Sequence, residues 1–240
     1  MKSPAMKDPL PRPEPPRIWH VPPRGDVLVI APHADDETCG CGGALALHAA
    51  QGDRVFIEIL TAGTAGDPRR HYADIAARRL AEAQAAGRVL GADQVACWGL
   101  PDNHEVRRQD LEAAAERIAA RLAETGARLL YHPWEGECHL DHRAAALAAD
   151  RARELAGGGV RALGYEVWSP LPAGVVLDIT RVRELKEQAL SHYTSQLYYT
   201  DYPHHIFGLN AHRGIYLEGR ARYGEAFLPA PGFFAAGEEG

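Results

Sequence analysis

The chain has 240 residues, 46% of them hydrophobic, and a formal charge of −6 at neutral pH. That length suffices for one α/β domain with a sizeable core, since single domains of this class reach ~250 residues. The acidic balance leaves no basic footprint for nucleic acid, and no apolar run nears the roughly 18 residues that a membrane span needs, so a soluble protein with no membrane insertion is expected.

Residues 1–24 hold eight prolines and little apolar content beyond Ile18, Trp19 and Val21. They lack the apolar core of at least about seven residues that a secretory signal needs. The expectation is a disordered or polyproline-II arm, then one domain over residues 25–228 and a loose tail over 229–240. The domain opens on Val27-Leu28-Val29-Ile30-Ala31, an apolar run that ends abruptly in His33-Ala34-Asp35-Asp36-Glu37. A fully buried parallel strand reads this way, so the polar cluster falls where a strand stops and a helix begins, where open α/β sheets keep their active sites. In such a turn His33 and Asp36, three apart, can converge on one point while Asp35 points elsewhere. Two ligands and a spare carboxylate fit a metal site with its own base. A capped helix accounts for this stretch equally well, with Asp35 or Asp36 as N-cap and Glu37 in the first turn.

The four cysteines are Cys39, Cys41, Cys97 and Cys138. A lone C-x-C is no zinc finger, and reduced cytosolic thiols are expected. Gly40-Cys41-Gly42-Gly43 does not match a dinucleotide fingerprint, and its glycines suit close helix packing instead. A helix over 44–51 and a strand over 54–60 lead to a loop over 61–70, whose Arg69 and Arg70 stand at the same sheet edge as candidates to hold a substrate hydroxyl or phosphate. On the next helix, 71–90, an internal ion pair is expected between Arg79 and Glu82. A strand over 94–98 runs into Asp102-Asn103-His104, a local turn pattern. A polar helix over 110–124 and a strand over 128–132 follow, then Trp134, which offers a wall against substrate or closes the core.

His139-Leu140-Asp141-His142 then repeats the placement of the first cluster, between a strand and an alanine-rich helix over 143–154. Parallel strands ending on one sheet edge bring their loops together, so the two clusters read as one site rather than two caps. His142, at the helix start, is the better third ligand. His139, with Asp141 beside it, suits an oriented imidazole that donates a proton or steadies an oxyanion. Glu135 and Glu137 are not needed as ligands, and three protein ligands leave a position open for water. Short strands over 163–168 and 175–178 and a helix over 181–192 complete an alternation that signals a doubly wound parallel sheet. His192, His204, His205 and His212 are spaced too irregularly for a second metal site.

His33-x-Asp35-Asp36-Glu37 paired with His139-x-x-His142 resembles the PIG-L/LmbE-like superfamily of zinc-dependent de-N-acetylases, over roughly residues 26–227. The resemblance implies a Rossmann-like α/β fold, a mostly parallel sheet flanked by helices with the metal at the C-terminal edge of its strands. It also implies hydrolysis of N-acetyl groups, mostly from N-acetylglucosamine units. It makes His33, Asp36 and His142 the metal ligands, Asp35 the general base, His139 the electrostatic stabiliser and Asp102 an acceptor for a sugar hydroxyl. The implied ion is Zn²⁺, although the same donors suit Fe²⁺. The implied partner is a small amino-sugar substrate in the cytoplasm, with a homo-oligomer left open. Where members usually carry proline, this chain has Ala34 and Leu140, neither of which needs to donate an atom to a metal. In the mycothiol-precursor branch a tyrosine stands where this chain has Glu137. Two rivals remain: an amidase acting on a thiol or antibiotic conjugate, and a non-catalytic carbohydrate-binding relative, against which the retained Asp35 argues.

Overall fold

The computed structural model describes residues 14–102 and 108–234; Asn103, His104, most of the expected arm and the end of the tail lie outside them. The first half of the chain supplies β1 (Arg17–Trp19), β2 (Val27–Ala31), α1 (Asp36–Gln51), β3 (Val55–Thr61), α2 (Ile75–Leu90), β4 (Gln94–Leu100) and α3 (Arg108–Thr125). Next come β5 (Leu129–Pro133), α4 (Leu140–Leu155), β6 (Arg161–Tyr165) and β7 (Val175–Asp178). The chain ends in α5 (Arg183–Leu190), α6 (Thr194–Leu197), α7 (Tyr202–Arg213) and β8 (Gly224–Pro229).

The strands form one eight-stranded sheet in the order β1-β7-β8-β6-β5-β2-β3-β4. Every pairing is parallel except those of β8 with β6 and β7. β2 is buried along its whole length because helices cover both sheet faces. Val27, Val29 and Ala31 join the layer under α1, α2 and α5, whereas Leu28 and Ile30 face α3 and α4. From β2 the chain first winds outward through β3 and β4, then returns to β5 on the other side of β2 and winds outward again. The crevice between the ends of β2 and β5 is therefore the topological switch point, where such sheets bind ligands.

Several boundaries differ from the expected ones. Arg17–Trp19, inside the expected arm, forms an edge strand parallel to β7. Ile18 packs on the cluster around Leu171, Val176 and Ala226, and Trp19 lies 5.8 Å from the ring of Phe233. Phe233 is buried, so the chain past Pro229 is not loose up to that point. A three-residue strand carries no periodicity to read, and the apolar partners of Trp19 stand more than two hundred residues away. β8 went unread for a similar reason, because it inserts antiparallel between two strands that precede it.

α1 begins at Asp36, eight residues before the expected helix start, and includes the glycines. It is buried from Asp36 through His48, so it has no polar face to mark it as helical. Its ladder breaks at Cys41, whose φ is −139°. The glycines serve close packing: a Cβ on Gly40 would stand 2.2 Å from the Tyr165 ring, and one on Gly43 2.6 Å from Ile179. Tyr165 cannot yield easily, since its hydroxyl donates to the Ile30 carbonyl at 2.8 Å. Gly40→Ala is thus expected to destabilise the fold by about 1–3 kcal/mol through overpacking. A urea midpoint equal to that of the native protein would show that the Tyr165 ring can move aside.

Candidate active site

Both polar clusters reach the switch point. β2 ends at Ala31, and the Pro32 carbonyl is tied to β3 by the Thr61 backbone N–H at 3.0 Å and the Thr61 hydroxyl at 2.9 Å. The chain then reverses through Asp35, whose φ of 131° is unusual for a residue with a side chain. Such a conformation costs on the order of 1–3 kcal/mol and persists only where the surroundings hold it. Here the Asp35 N–H donates to Glu37 Oε2 at 3.1 Å, and Tyr193 donates its hydroxyl to Glu37 Oε1. On the other strand β5 ends at Pro133, and His139 caps α4 by accepting the Asp141 N–H on Nδ1 at 3.2 Å.

Asp36 joins the two clusters. Its Oδ2 lies 3.0 Å from His33 Nδ1 and 3.2 Å from His142 Nε2, and it also accepts the His33 backbone N–H at 2.9 Å. The far nitrogen of each imidazole meets a second carboxylate: His33 Nε2 lies 3.0 Å from Asp141 Oδ2, and His142 Nδ1 lies 3.6 Å from Glu137 Oε2. His142 is fully buried, yet neither of its ring nitrogens has a partner with hydrogen-bond geometry. His33, Asp36 and His142 offer three donor atoms within 4.8 Å of one another, as do His33, His139 and Asp141. The outer carboxylates favour the first set, because metal-bound imidazoles almost always donate their remaining N–H to such a group. Among the described residues, donors near enough to share an ion gather only in this corner.

The electrostatics agree. Asp35, Asp36, Glu37, Glu137 and Asp141 are all buried here, and so much negative charge demands compensation. Burial opposes charge on His33, but Asp141 and Asp36 outweigh it and push the imidazole up to about 9. Burial likewise opposes charge on His142, which Asp36 and Glu137 raise to about 10. Burial also works against Asp36, yet His142 and His33 hold its carboxyl well below the usual range. Asp35 behaves oppositely: burial lifts it to about 7 against the pull of Arg79. Burial lowers His139, and His33 and His142 lower it further, so the neutral imidazole is favoured and the protonated form disfavoured. Since its Nδ1 accepts a backbone N–H, the ring proton sits on Nε2. Asp141 turns its carboxylate to His33 rather than to His139 Nδ1, which is 4.0 Å away.

Residues 28–153, which carry both clusters, match the family model PIG-L, described as GlcNAc-PI de-N-acetylase. The match covers 126 of the 240 residues. The chain belongs to the PIG-L family. It is 28% identical to the diacetylchitobiose deacetylase of Thermococcus kodakarensis over 193 residues, 71% of this chain and 69% of that one. It is 34% identical to the 1D-myo-inositol 2-acetamido-2-deoxy-alpha-D-glucopyranoside deacetylase 2 of Catenulispora acidiphila over 157 residues, 55% of this chain and about half (52%) of that enzyme. Among solved structures, the 4-carboxy-2-hydroxymuconate hydratase GalB of Pseudomonas putida superposes with a TM-score of 0.75 at 23% identity, covering 85% of this chain and 96% of that one. At that identity the likeness concerns the fold alone, and one fold hosts many chemistries.

Beside the His/Asp cluster of this PIG-L chain lies a cleft of about 140 Å³, lined by His33, Asp35, Asp36, Arg79, Asp102 and His139 together with Ala65, Gly66, Trp168, Gln196 and Tyr202. The expected substrate contacts meet it unevenly. Asp102 reaches it, but its Oδ1 accepts the Thr64 N–H at 3.1 Å and its Oδ2 the Ala65 N–H at 2.5 Å, so it also buckles the 63–66 loop. Arg69 and Arg70 do not line it; they are exposed, with the Arg69 guanidinium 5.9 Å from the Tyr199 ring. Trp134 does not line it either, because its Nε1 donates to the Ser169 carbonyl at 2.8 Å and its ring packs in the small cluster around Val176. The expected Arg79–Glu82 pair is replaced by two separate tasks. Arg79 donates to Asp35 Oδ2 at 3.1 Å and to the Ala34 carbonyl at 2.7 Å, while Glu82 accepts from the Ser195 hydroxyl at 2.6 Å and the Ser195 N–H at 2.9 Å. Gln196 lies in the 191–197 segment, whose resemblance to the family implies a part in the substrate pocket, and it does line the cleft. Sequence reasoning missed Arg79, Trp168 and Tyr202: the last two come from segments after β6 that have no motif, and Arg79 was masked by a plausible helix partner.

Proposed function

We propose that this protein is a zinc-dependent hydrolase that removes the N-acetyl group from an amino sugar of the N-acetylglucosamine type, releasing acetate. The observation that carries this reading is the pair of imidazoles converging on Asp36, each backed by a second carboxylate, with Asp35 left over in the same cleft. His33, Asp36 and His142 would hold the ion. The orphaned nitrogens of buried His142 and the surplus of buried carboxylate support a divalent cation here. When bound, such an ion acidifies a water and polarises a carbonyl.

The chain's own residues supply the rest. Asp35, lifted towards neutrality by burial, has the affinity for a proton that a general base needs near pH 7. Arg79 fixes its carboxylate from one side and Glu37 its backbone from the other, so the base does not swing away. His139 presents a neutral Nε2–H to the cleft as a donor for the carbonyl oxygen on which charge develops. Asp35, once protonated, can return the proton to the leaving amine.

Protein stripped with a chelator and restored with Zn²⁺ or with anaerobic Fe²⁺ in parallel is expected to release acetate from at least one member of a panel of N-acetylated amino sugars, and only after restoration. Release that survives stripping would remove the metal from the mechanism. An inactive panel with metal still bound would move the substrate to a larger amide conjugate.

A further inference from the structure

Trp168 is 52% exposed, and it stands in the lining of the cleft. The backbone beneath it is not loose. Glu137 Oε1 accepts the N–H groups of Val167 at 2.7 Å and of Trp168 at 3.1 Å, and the same carboxylate faces His142 through Oε2. A second buried carboxylate, Glu166, accepts the Leu171 N–H at 2.8 Å and a two-pronged contact from Arg213 at 2.9 and 2.6 Å. Arg213 also donates to the Leu171 carbonyl at 2.8 Å. Both sides of the turn carrying Trp168 are therefore pinned by buried charge, and Tyr202 meets its ring edge-on at 6.2 Å between centroids. A rigid, exposed aromatic gives up little conformational entropy on binding, which is the property of an anchor for a flat apolar face.

The cleft itself is small. At about 140 Å³ it falls well below the ~300–1,000 Å³ of pockets that enclose a whole ligand. It can take the acetamide and the edge of one ring, and the remainder of the substrate must lie at the mouth.

We infer that Trp168, braced by Tyr202, is a specificity-determining residue: it is the stacking platform for the ring joined glycosidically to the acetylated amino sugar, and it sets how strongly the protein favours such a glycoside over the isolated sugar. This rests on the deacetylase reading and deepens it. Apolar C–H faces of pyranose rings lie flat on indoles, and losing one such contact is worth about tenfold in affinity.

The test compares kcat/KM on N,N′-diacetylchitobiose and on methyl N-acetyl-β-glucosaminide, using the zinc-loaded full chain, its Trp168→Ala variant and its Trp168→Phe variant. The expected result is at least a tenfold preference for the disaccharide in the native protein, a preference that shrinks about tenfold in W168A and stays within about threefold of native in W168F. Titration with the disaccharide should also perturb tryptophan fluorescence in the native protein and not in W168F. Equal kcat/KM on the two substrates, or a ratio that W168A leaves within twofold, overturns the platform. A fluorescence change at Trp168 without acetate release from either sugar supports the platform and overturns the deacetylation of these sugars. No fluorescence change with the disaccharide overturns the platform even if acetate is released.

Discussion

Asp35→Asn is expected to lower kcat by roughly 10²- to 10⁴-fold, the usual worth of a positioned general base, while the zinc content per chain stays the same. Asparagine keeps the shape and can still accept the Arg79 N–H, but it cannot take a proton from water. The proposed ligands His33, Asp36 and His142 converge without it. Zinc stoichiometry measured on the same preparation as kcat separates the roles, and loss of the metal together with turnover would make Asp35 a ligand instead. A pH profile adds a second check. Burial places the Asp35 carboxyl at about 7 without an ion, and a nearby cation can only lower it, so the acidic limb of kcat/KM should fall at or below pH 7 and vanish in the variant.

The same residue should reveal a conflict between function and stability. A carboxyl whose folded pKa is raised holds its proton more tightly in the fold than in the unfolded chain. Stability is therefore lost as pH rises from about 4, where the unfolded group titrates, to about 7. Metal-free Asp35→Asn should accordingly show a urea midpoint at pH 7 no lower than that of the native protein. A clearly lower midpoint would mean that the charge on Asp35 stabilises the fold through Arg79 more than its burial destabilises it.

Lys186→Met is expected to destabilise the protein by about 3–5 kcal/mol, the cost of breaking a buried ion pair from one side. Lys186 is fully buried on α5, and its Nζ donates to Glu225 on β8 at 2.7 Å, to Asn210 on α7 at 3.0 Å and to the Cys39 carbonyl on α1 at 2.8 Å. Glu225 in turn accepts the N–H groups of Gly43 at 2.7 Å and Ala44 at 2.8 Å, just past the break at Cys41. One ammonium and one carboxylate thus splice the two halves of α1 and tie the helix that carries Asp36 to the last third of the chain. Methionine fills most of the lysine stem but strands the carboxylate. Adding Glu225→Gln should recover part of the loss, because it removes the stranded charge. A single variant within about 1 kcal/mol of native in chemical denaturation would show that water reaches the pair.

The chemical groups of the site were legible in the sequence because they follow the strands directly. An apolar run that stops at His33-Ala34-Asp35-Asp36 and another that leads to His139-Leu140-Asp141-His142 can be paired by the rule that parallel strands end on one edge, and the fold places them side by side. The alternation of strands and helices from β2 to α4 was legible from apolar runs bounded by turn residues and from the one-sided burial of helices such as α2 and α4, whereas α1, buried nearly all round, was read only in its second half. β1 and β8 left no such signal, β1 because it has only three residues and both because they are completed by partners far away in the chain.

Local order along the chain sets the chemistry that arrives at the switch point: the imidazoles and carboxylates that follow β2 and β5. How these groups pair is settled by the packing of distant segments. Asp141 serves His33 and not His139, Glu137 stands behind His142 while holding the Trp168 turn, Arg79 leaves its helix neighbour for Asp35, and Trp168 rather than Trp134 reaches the cleft. The reason is physical. Local spacing governs contacts within a helix turn or along a strand, whereas a buried charge takes whichever partner the packing of distant segments brings within 3 Å, and that choice is made by the fold as a whole.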